Sequence, residues 1–452
     1  MFFEFCSVLT PKKTPLFMGL ALCLVCAPAQ AETLQQAVSV TLSAHPQVES
    51  ATAALRNSEE AQKEQYSGYF PNISVNATGG RIFGDNSTSR GLSVTRGDGY
   101  SYLWEGSVAA RQMIFDGMET HNRVHAARAD MKATELALAD LQESLAFQVT
   151  QTYVNLLRVQ KGLALLRGQE KSVKDYLSRI STMVDDGAAD EAQLQQALDV
   201  SVILDNFIAD YVGQVRSLES DYAELTGHLP ESPLELPVTS LDLIPEDMQV
   251  AIDLAKEKHP LLRSAQFESK SSKHGISAEK ATYIPKLDGE LSYLKTDKDD
   301  IIGGEVEDGK AVVRMNWEFE TGGAQKARIK QRTYEYKEAM ARIGEIERQV
   351  EQSVRKAYAE NQTARRQFAN QKKRQDLNKK IFETYEVQFE GALVSVLQLM
   401  QADNQVLLTK LEASNAQSRV MLSEYGILAA MGRLRETLNV EMASAGHPRR
   451  QP

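Results

Sequence analysis

Two matched pairs of prolines constrain this chain more than any other feature of its sequence. Pro46 follows a histidine, and Pro71 lies 25 residues later; Pro260 also follows a histidine, and Pro285 again lies 25 residues later. Proline marks where a helix begins or must end. The same spacing of prolines recurs at an offset of 214 residues, which indicates that one structural unit is duplicated in this chain.

Further landmarks recur in the same order in both halves. The matched pairs are Trp104 with Trp317, Phe115 with Phe319, Tyr153 with Tyr358, Gly187 with Gly391, and Gly227 with Gly432. A single deletion of about ten residues, between Pro285 and Phe319, explains why the offset falls to 204 or 205 beyond the prolines. We predict a first repeat at residues 32–229, a proline-rich linker at 230–247, and a second repeat at 248–434.

The first 31 residues have the pattern of a secretory signal. A basic pair, an apolar stretch and an Ala-Gln-Ala ending predict cleavage before Glu32. A membrane anchor is one alternative, although the apolar stretch is short for a bilayer. A lipoprotein is another, although a valine precedes Cys26 where a small residue is expected. All three cysteines lie in this leader, so the mature chain relies on packing or assembly rather than on disulfides.

Each half also predicts a pair of very long helices. Residues 118–185 are rich in strong helix formers and contain no proline, which predicts a helix of roughly 100 Å at about 1.5 Å per residue. Residues 191–227 follow with an unbroken seven-residue repeat, whose seam starts at Leu194 and Ala197. The second half repeats this seam with smaller residues, so the two hairpins are expected to pack differently. Helices of this length build a rod or the wall of a tube.

Between the helices, each half contains two stretches that alternate between apolar and polar residues. This period of two predicts strands with one apolar and one polar face. The predicted apolar faces hold Ile73, Val75 and Ala77; Tyr102, Trp104, Val108 and Ala110; Leu287, Leu291 and Tyr293; and Val313, Met315, Trp317 and Phe319.

Four strands cannot close a barrel, and the open edges of a sheet are unfavourable. Two or three chains could pool eight or twelve strands, and a closed barrel with aromatic residues on its apolar face suits a membrane. The mature chain has no run of 18 apolar residues, which excludes a membrane helix. A soluble sheet that caps a rod is the alternative interpretation.

The ordered set of features resembles the TolC-like outer-membrane channel proteins over essentially the whole mature length. The shared features are the duplicated halves, the Asn/His-Pro near the start of each half, the Phe-Pro strand entry, the Phe-Asp-Gly strand exit, and the helix breaks at Gly187 and Gly391. The resemblance implies a mainly α fold with a membrane β-barrel portion. In such a homotrimer, long antiparallel coiled-coil helices form a periplasmic α-barrel, and four strands per chain join a twelve-stranded β-barrel in outer-membrane lipid.

The resemblance also implies partners and an entrance. A periplasmic adaptor (membrane fusion) protein connects such channels to an inner-membrane ABC exporter or proton-driven pump. Helix turns just past Gly187 and Gly391 form the periplasmic entrance, where many members carry aspartates. The matching positions here are Gln193, Gln398 and Gln401, so polar rings are expected in place of anionic ones. Solvated or interhelical positions without a gating role are the alternative.

No catalytic, cofactor-binding or metal-binding residue is predicted. His121 and His125 share a helix face, but a zinc site needs a third ligand. The sequence contains no glycine-rich phosphate loop and no nucleophile in a recognisable context. The net charge of −10 argues against nucleic acid as a partner. Residues 435–452 are predicted to form a disordered tail.

The sequence therefore predicts a trimeric outer-membrane exit duct of a Gram-negative bacterium, and not an enzyme. The Gly-Tyr-Phe-Pro-Asn-Ile segment is similar to the branch of the family that serves type I secretion, which favours secreted proteins as cargo. Small-molecule or multidrug efflux is the second reading. A periplasmic coiled-coil adaptor without a pore is the third.

Overall fold

The computed structural model describes residues 32–84, 99–231, 233–237, 243–298, 305–391 and 393–440, and the predicted leader lies outside this part. The first half contains α1 (Leu34–Ala44), α2 (Pro46–Ser67), β1 (Asn72–Gly84), β2 (Gly99–Phe115), α3 (Glu119–Asp185) and α4 (Glu191–Thr226). The second contains α5 (Met248–Lys258), α6 (Pro260–Ala281), β3 (Lys286–Lys298), β4 (Val306–Asn316), α7 (Ala324–Glu390), α8 (Val396–Ala430) and α9 (Leu434–Thr437). The two halves therefore share one element order, with α9 added at the end.

A histidine–proline pair ends one helix and starts the next in each half. His45 Nδ1 accepts the backbone N–H of Gln47 at 3.2 Å, and His259 Nδ1 accepts that of Leu261 at 3.3 Å. The proline that follows each histidine occupies the first turn, where its missing N–H is not needed. A ring nitrogen accepts a hydrogen bond only when it is unprotonated, so each cap requires a neutral imidazole.

The long helices pack side by side in two levels. At the level of the hairpin turns (residues 186–190 and 391–395), α3 packs against both α4 and α8, and α8 packs against α7. The resulting layer has the order α4-α3-α8-α7, and its apolar core includes Leu166, Ile180, Leu204 and Met400. At the level of the strands the order is α2-α3-α6-α7. Helices α4 and α7 therefore lie at the two edges of the lower layer.

The predicted seven-residue repeat is confirmed, because its seam residues on α4 and α8 are all buried or half-buried. Helices α3 and α4 are in tight contact at Gly162, where an added Cβ would overlap the ring of Tyr211. Among the described helices, none combines the length with the apolarity that crossing a bilayer requires.

The four strands form one antiparallel sheet in the order β1-β2-β3-β4. Directly opposite residues point to the same side of a sheet. The register pairs Val75 with Val108 and Val108 with Tyr293, and it pairs Leu291 with Ala311. The predicted apolar residues of all four strands thus lie on one face. The prediction is wrong for Trp317 and Phe319, because β4 ends at Asn316; the Trp317 ring packs on Phe319 and donates to Tyr283 O at 3.2 Å.

The end of the second repeat is anchored on α3. Glu143 is buried, and its carboxylate accepts the backbone N–H of Leu434 at 2.9 Å and Nε of Arg435 at 3.1 Å. Leu434 and Leu438 are buried in the main apolar core. The predicted disorder of residues 435–452 is therefore wrong for 435–440, since packing and a buried ion pair order them; residues 441–452 lie outside the described part.

The linker is anchored to the first described residue. Glu32 pairs with Leu234 in a parallel bridge, and Glu235 N donates to Glu32 O at 3.3 Å. The Glu32 carboxylate accepts from the Tyr222 hydroxyl, and its other oxygen accepts Glu231 N at 3.0 Å. This buried carboxylate therefore ties the linker to the end of α4.

Candidate functional site

The apolar face of the sheet is the first surface with functional meaning. Ile73, Val75, Trp104, Val313 and Met315 lie on this face, and each is between 63% and 71% exposed. A contiguous patch of such residues is unfavourable in water and marks a surface that contacts lipid or protein. The inner strands β2 and β3 are hydrogen-bonded on both sides, which is the state that hydrocarbon requires of a backbone.

The opposite face of the sheet is polar. Glu290 on β3 lies 3.3 Å from the guanidinium of Arg111 on β2 and 3.0 Å from that of Arg314 on β4. Ser74 and Asn76 on β1 lie on the same face by register. One wall therefore offers a lipid-compatible side and a hydrated side.

The outer strands leave this wall open. Among the described strands, β1 pairs only with β2, and β4 pairs only with β3. The unpaired backbone groups of such edges need partners, particularly next to lipid.

The two helix breaks that the sequence predicts lie at the hairpin turns. Helix α3 ends at Asp185, and Gly187 follows in the left-handed region at φ +72°, which favours glycine. Helix α7 ends at Glu390, directly before Gly391, whose φ of −84° any residue can adopt. The matched glycines therefore share a position but not a conformation.

The three predicted entrance glutamines lie at the starts of α4 and α8. Gln193 is the third residue of α4 and is half-buried. Gln398 is the third residue of α8, and its side chain accepts Ser395 N at 2.9 Å in a capping box. Gln401 lies one turn further along α8 and is exposed. The Gln398 side chain is thus held by the helix cap, whereas that of Gln401 extends from an exposed position of α8.

The acidic residues near the turns differ in their surroundings. Asp190 caps α4 by accepting Ala192 N at 3.4 Å, and it stays exposed together with Glu191. Asp403 is half-buried instead, and it accepts Gln169 Nε2 at 2.7 Å across the α3–α8 contact. Burial of the nearby Tyr176 hydroxyl, together with the charge of Asp403, raises the pKa of Tyr176 to about 12. Asp403 therefore links the two hairpins rather than lining an opening.

Three histidines lie close together near the N-terminal end of α3. The His125 ring lies 4.4 Å from the His121 ring and 5.3 Å from the His274 ring of α6. Burial and the neighbouring histidines lower the pKa of His274. Within the described residues, no group of three or more His, Cys, Asp or Glu side chains is arranged to hold a metal ion.

Comparison with known proteins gives this architecture a family. The model of the family described as "Outer membrane efflux protein" matches residues 37–203 and 251–433. The chain belongs to the outer membrane efflux protein family. This membership confirms the predicted resemblance to TolC-like channels.

Individual relatives match this chain over most of its length. "Outer membrane efflux protein BepC" of Brucella suis is 21% identical over 419 residues, which are 90% of this chain and 86% of that protein. The Campylobacter jejuni CmeC outer membrane channel has a TM-score of 0.76 at 16% identity, covering 89% of this chain and 86% of its own. The open state of the Neisseria gonorrhoeae MtrE outer membrane channel has a TM-score of 0.73 at 15% identity, covering 89% of each chain.

Family membership bears out the broader predictions. The fold is mainly helical with a small antiparallel sheet, as in TolC-like barrel channels. The protein is an outer-membrane efflux channel with a large periplasmic helical portion, and its family and structural neighbours are channels rather than enzymes. The reading of a periplasmic adaptor without a pore is therefore wrong. The sequence did not predict the roles of the Glu32 and Glu143 carboxylates, because the residues that each contacts lie far away along the chain.

Proposed function

We propose that three copies of this chain form one channel, which is the outer-membrane exit of a tripartite export system. The observation that carries the proposal is the register of the sheet, which gathers the apolar residues of four strands on one face and the polar residues on the other. A closed barrel of such strands has a lipid-facing exterior and a hydrated interior.

The size of the passage favours three copies over two. About eight strands make a barrel whose interior is just filled by side chains, whereas larger barrels enclose an open lumen. Two copies would pool eight strands and three would pool twelve. Twelve strands about 4.8 Å apart and tilted by about 40° give a circumference of roughly 75 Å, which leaves room for cargo.

The helical part supports the same assembly. Leu198, Val202 and Phe207 on α4 are between 42% and 57% exposed, and on α7 Leu377 is 60% and Ile381 48% exposed. These residues lie on the two edge helices of the four-helix layer. Joining the α4 edge of one copy to the α7 edge of the next covers both sets, and a repeated heterologous contact closes a ring.

The hairpin turns are the proposed periplasmic entrance. Three copies of Gln193, Gln398 and Gln401 would line a constriction there, with Gln401 the most available to a passing solute. A periplasmic adaptor docks at this end and connects the channel to an inner-membrane ABC exporter or proton-driven pump. Docking shifts the turns toward an open state, which is a change of population rather than of fold.

The proposed cargo is a secreted protein of a type I system, supported by the likeness of residues 68–73 to that branch. Small-molecule efflux is the second candidate, supported by the similarity to an outer membrane efflux protein of Brucella suis. Deleting the gene separates them: loss of one large protein from the medium with unchanged drug susceptibility supports secretion. Increased susceptibility with an unchanged set of secreted proteins contradicts secretion and supports efflux.

A planar lipid bilayer tests the channel itself. The purified protein is expected to produce discrete, ohmic conductance steps, and a protein that remains detergent-indifferent and monomeric would refute the proposal. Gln401→Asp tests the entrance, because three added carboxylates should shift the reversal potential toward cation selectivity. Gln401→Asn, which changes the same side chain without adding a charge, is the control for an effect of side-chain shape.

A further inference from the structure

The two edge helices of the lower layer carry opposite charge. Helix α7 holds sixteen Lys and Arg residues against ten Asp and Glu residues. Helix α4 holds seven acidic residues and a single arginine. The protein as a whole has a net charge of only −10, so this contrast between two helices is large. Complementary edges of this kind favour the contact of α4 with α7 and disfavour the contact of either helix with its own copy.

The charged residues that matter lie on the free sides of these helices. At about 100° per residue, Asp199, Ile203 and Asp210 lie on the side of α4 away from its seam with α3. By the same geometry, Lys373, Leu377 and Lys380 lie on the side of α7 away from α8. All six side chains are exposed. Within the described part of the chain, Asp199, Lys373 and Lys380 make no ion pair, and Asp210 accepts only Gln214 Nε2 of its own helix.

The heights of these residues also match. The helix ends at both hairpin turns correspond at an offset of 205 residues, so we take the turns as level. At about 1.5 Å per residue, Asp199 lies about 12 Å above the start of α4, and Lys380 lies about 15 Å above the end of α7. Ile203 and Leu377 lie at about 18 and 20 Å, and Asp210 and Lys373 at about 28 and 26 Å.

We propose that these two faces form an interface between neighbouring copies of this chain, in which Asp199 pairs with Lys380 and Asp210 with Lys373 around an apolar contact of Ile203 with Leu377. The partner is a second copy, because both halves of the interface are present on every copy and only opposite edges are complementary. The inference rests on the trimer proposed above and adds to it a specific register for the lower, periplasmic part of the ring.

The ion pairs make the strength of this interface depend on salt. Each pair occurs three times in the ring, and its residues are exposed on each copy. Salt screens exposed charges over a Debye length of about 8 Å at physiological ionic strength, and this length shortens as the salt concentration rises, so these exposed pairs should weaken in high salt. The lower ring is therefore held by contacts that an opposing charged surface can compete for.

Charge reversal tests the pairing in the full-length protein. Lys373→Asp or Asp210→Lys places like charges together at three seams, and we expect the ratio of trimer to monomer in mild detergent to fall about tenfold. The combined variant restores the opposite charges and should recover the ratio. Lys372→Asp is the matched control: it makes the same change one residue away, on a different face of α7, and should leave the ratio unchanged.

Crosslinking provides a second readout. The three cysteines all lie within residues 1–31, so the variant with Ile203→Cys and Leu377→Cys has a single reactive pair after removal of the leader. Oxidation should produce a disulfide-linked ladder between chains, and either single variant should not. Bilayer conductance separates the two proposals. A conducting trimer whose ratio of trimer to monomer is unchanged by the charge reversals, and which forms no crosslink, would overturn the interface alone. A monomer without conductance would overturn both proposals.

Discussion

The close approach of α3 and α4 at Gly162 gives the sharpest test of the packing. A Cβ built on Gly162 overlaps Cε1 of the Tyr211 ring and lies 3.1 Å from Cδ1 and 3.4 Å from Cζ. Gly168, six residues further along the same helix, has nothing within 4 Å of the equivalent position. The two glycines therefore differ in their surroundings but not in the helix they belong to.

Alanine at either position should stabilise the helix by about 0.5–1 kcal/mol, because glycine loses more backbone entropy on folding. At Gly162 the same change forces the Tyr211 ring or the α4 backbone to move, and overpacking of this kind costs about 1–3 kcal/mol. Since the propensity term is common to both variants, Gly162→Ala should be less stable than Gly168→Ala by about 1–3 kcal/mol.

Guanidinium unfolding followed by circular dichroism at 222 nm measures this difference. The expected result is a raised midpoint for Gly168→Ala and a lowered one for Gly162→Ala. Adding Tyr211→Leu should remove most of the penalty, because the ring that meets the new methyl group is gone. Equal midpoints for the two alanine variants would refute the argument that this helix pair is in contact at Gly162.

Three further predictions concern the two faces of the sheet, the histidine helix cap and the ion pair at the end of the second repeat. Val75→Lys, on the apolar face, should destabilise the membrane-inserted barrel by up to about 2–4 kcal/mol, whereas Ser74→Lys on the polar face should be tolerated in a folding assay with lipid vesicles. Burial lowers the pKa of His259 to about 4, so the stabilisation that the neutral imidazole contributes should be fully present above pH about 6.5 and should fall as the pH drops toward 4. His259→Asn keeps a helix cap but does not titrate, so its melting temperature should depend less on pH over this range. Arg435→Ala leaves the buried Glu143 unpaired and should lower the free energy of unfolding by about 3–5 kcal/mol, measured by denaturant titration beside the milder Arg435→Lys.

Local patterns predicted the helices and strands because their periods are set by the backbone. The seven-residue repeat of α4 and the alternation of β1 and β3 depend only on which face of each element is buried. The duplicated His-Pro pairs predicted helix boundaries for the same reason, since both residues act within one turn. The end of β4 was harder: Trp317 continues the alternation, but its ring packs on Phe319 beyond the last strand pair.

Long-range contacts could not be read from the sequence. Tyr222 meets Glu32 across 190 residues, and Arg435 meets Glu143 across 292. No periodic pattern reports such pairs, because each depends on how whole helices are placed. The entrance shows an intermediate case: the position of Gln398 was predicted, but its role in a capping box became visible only with the backbone of Ser395 beside it. Its part in a constriction stays a prediction.

The two pairings along β2 end at different points. Strands β2 and β3 stay paired as far as Leu103 and Lys298, whereas β1 and β2 remain paired four residues further, to Gly84 and Gly99. At about 3.3 Å per residue, the described β1–β2 pairing extends roughly 13 Å beyond the β2–β3 pairing. In the proposed trimer this step would occur three times, and the described strands of the first repeat would extend further outward than β3 of the second. Immune and viral pressure on intact cells would then fall unequally on the two copies of an ancestral duplication.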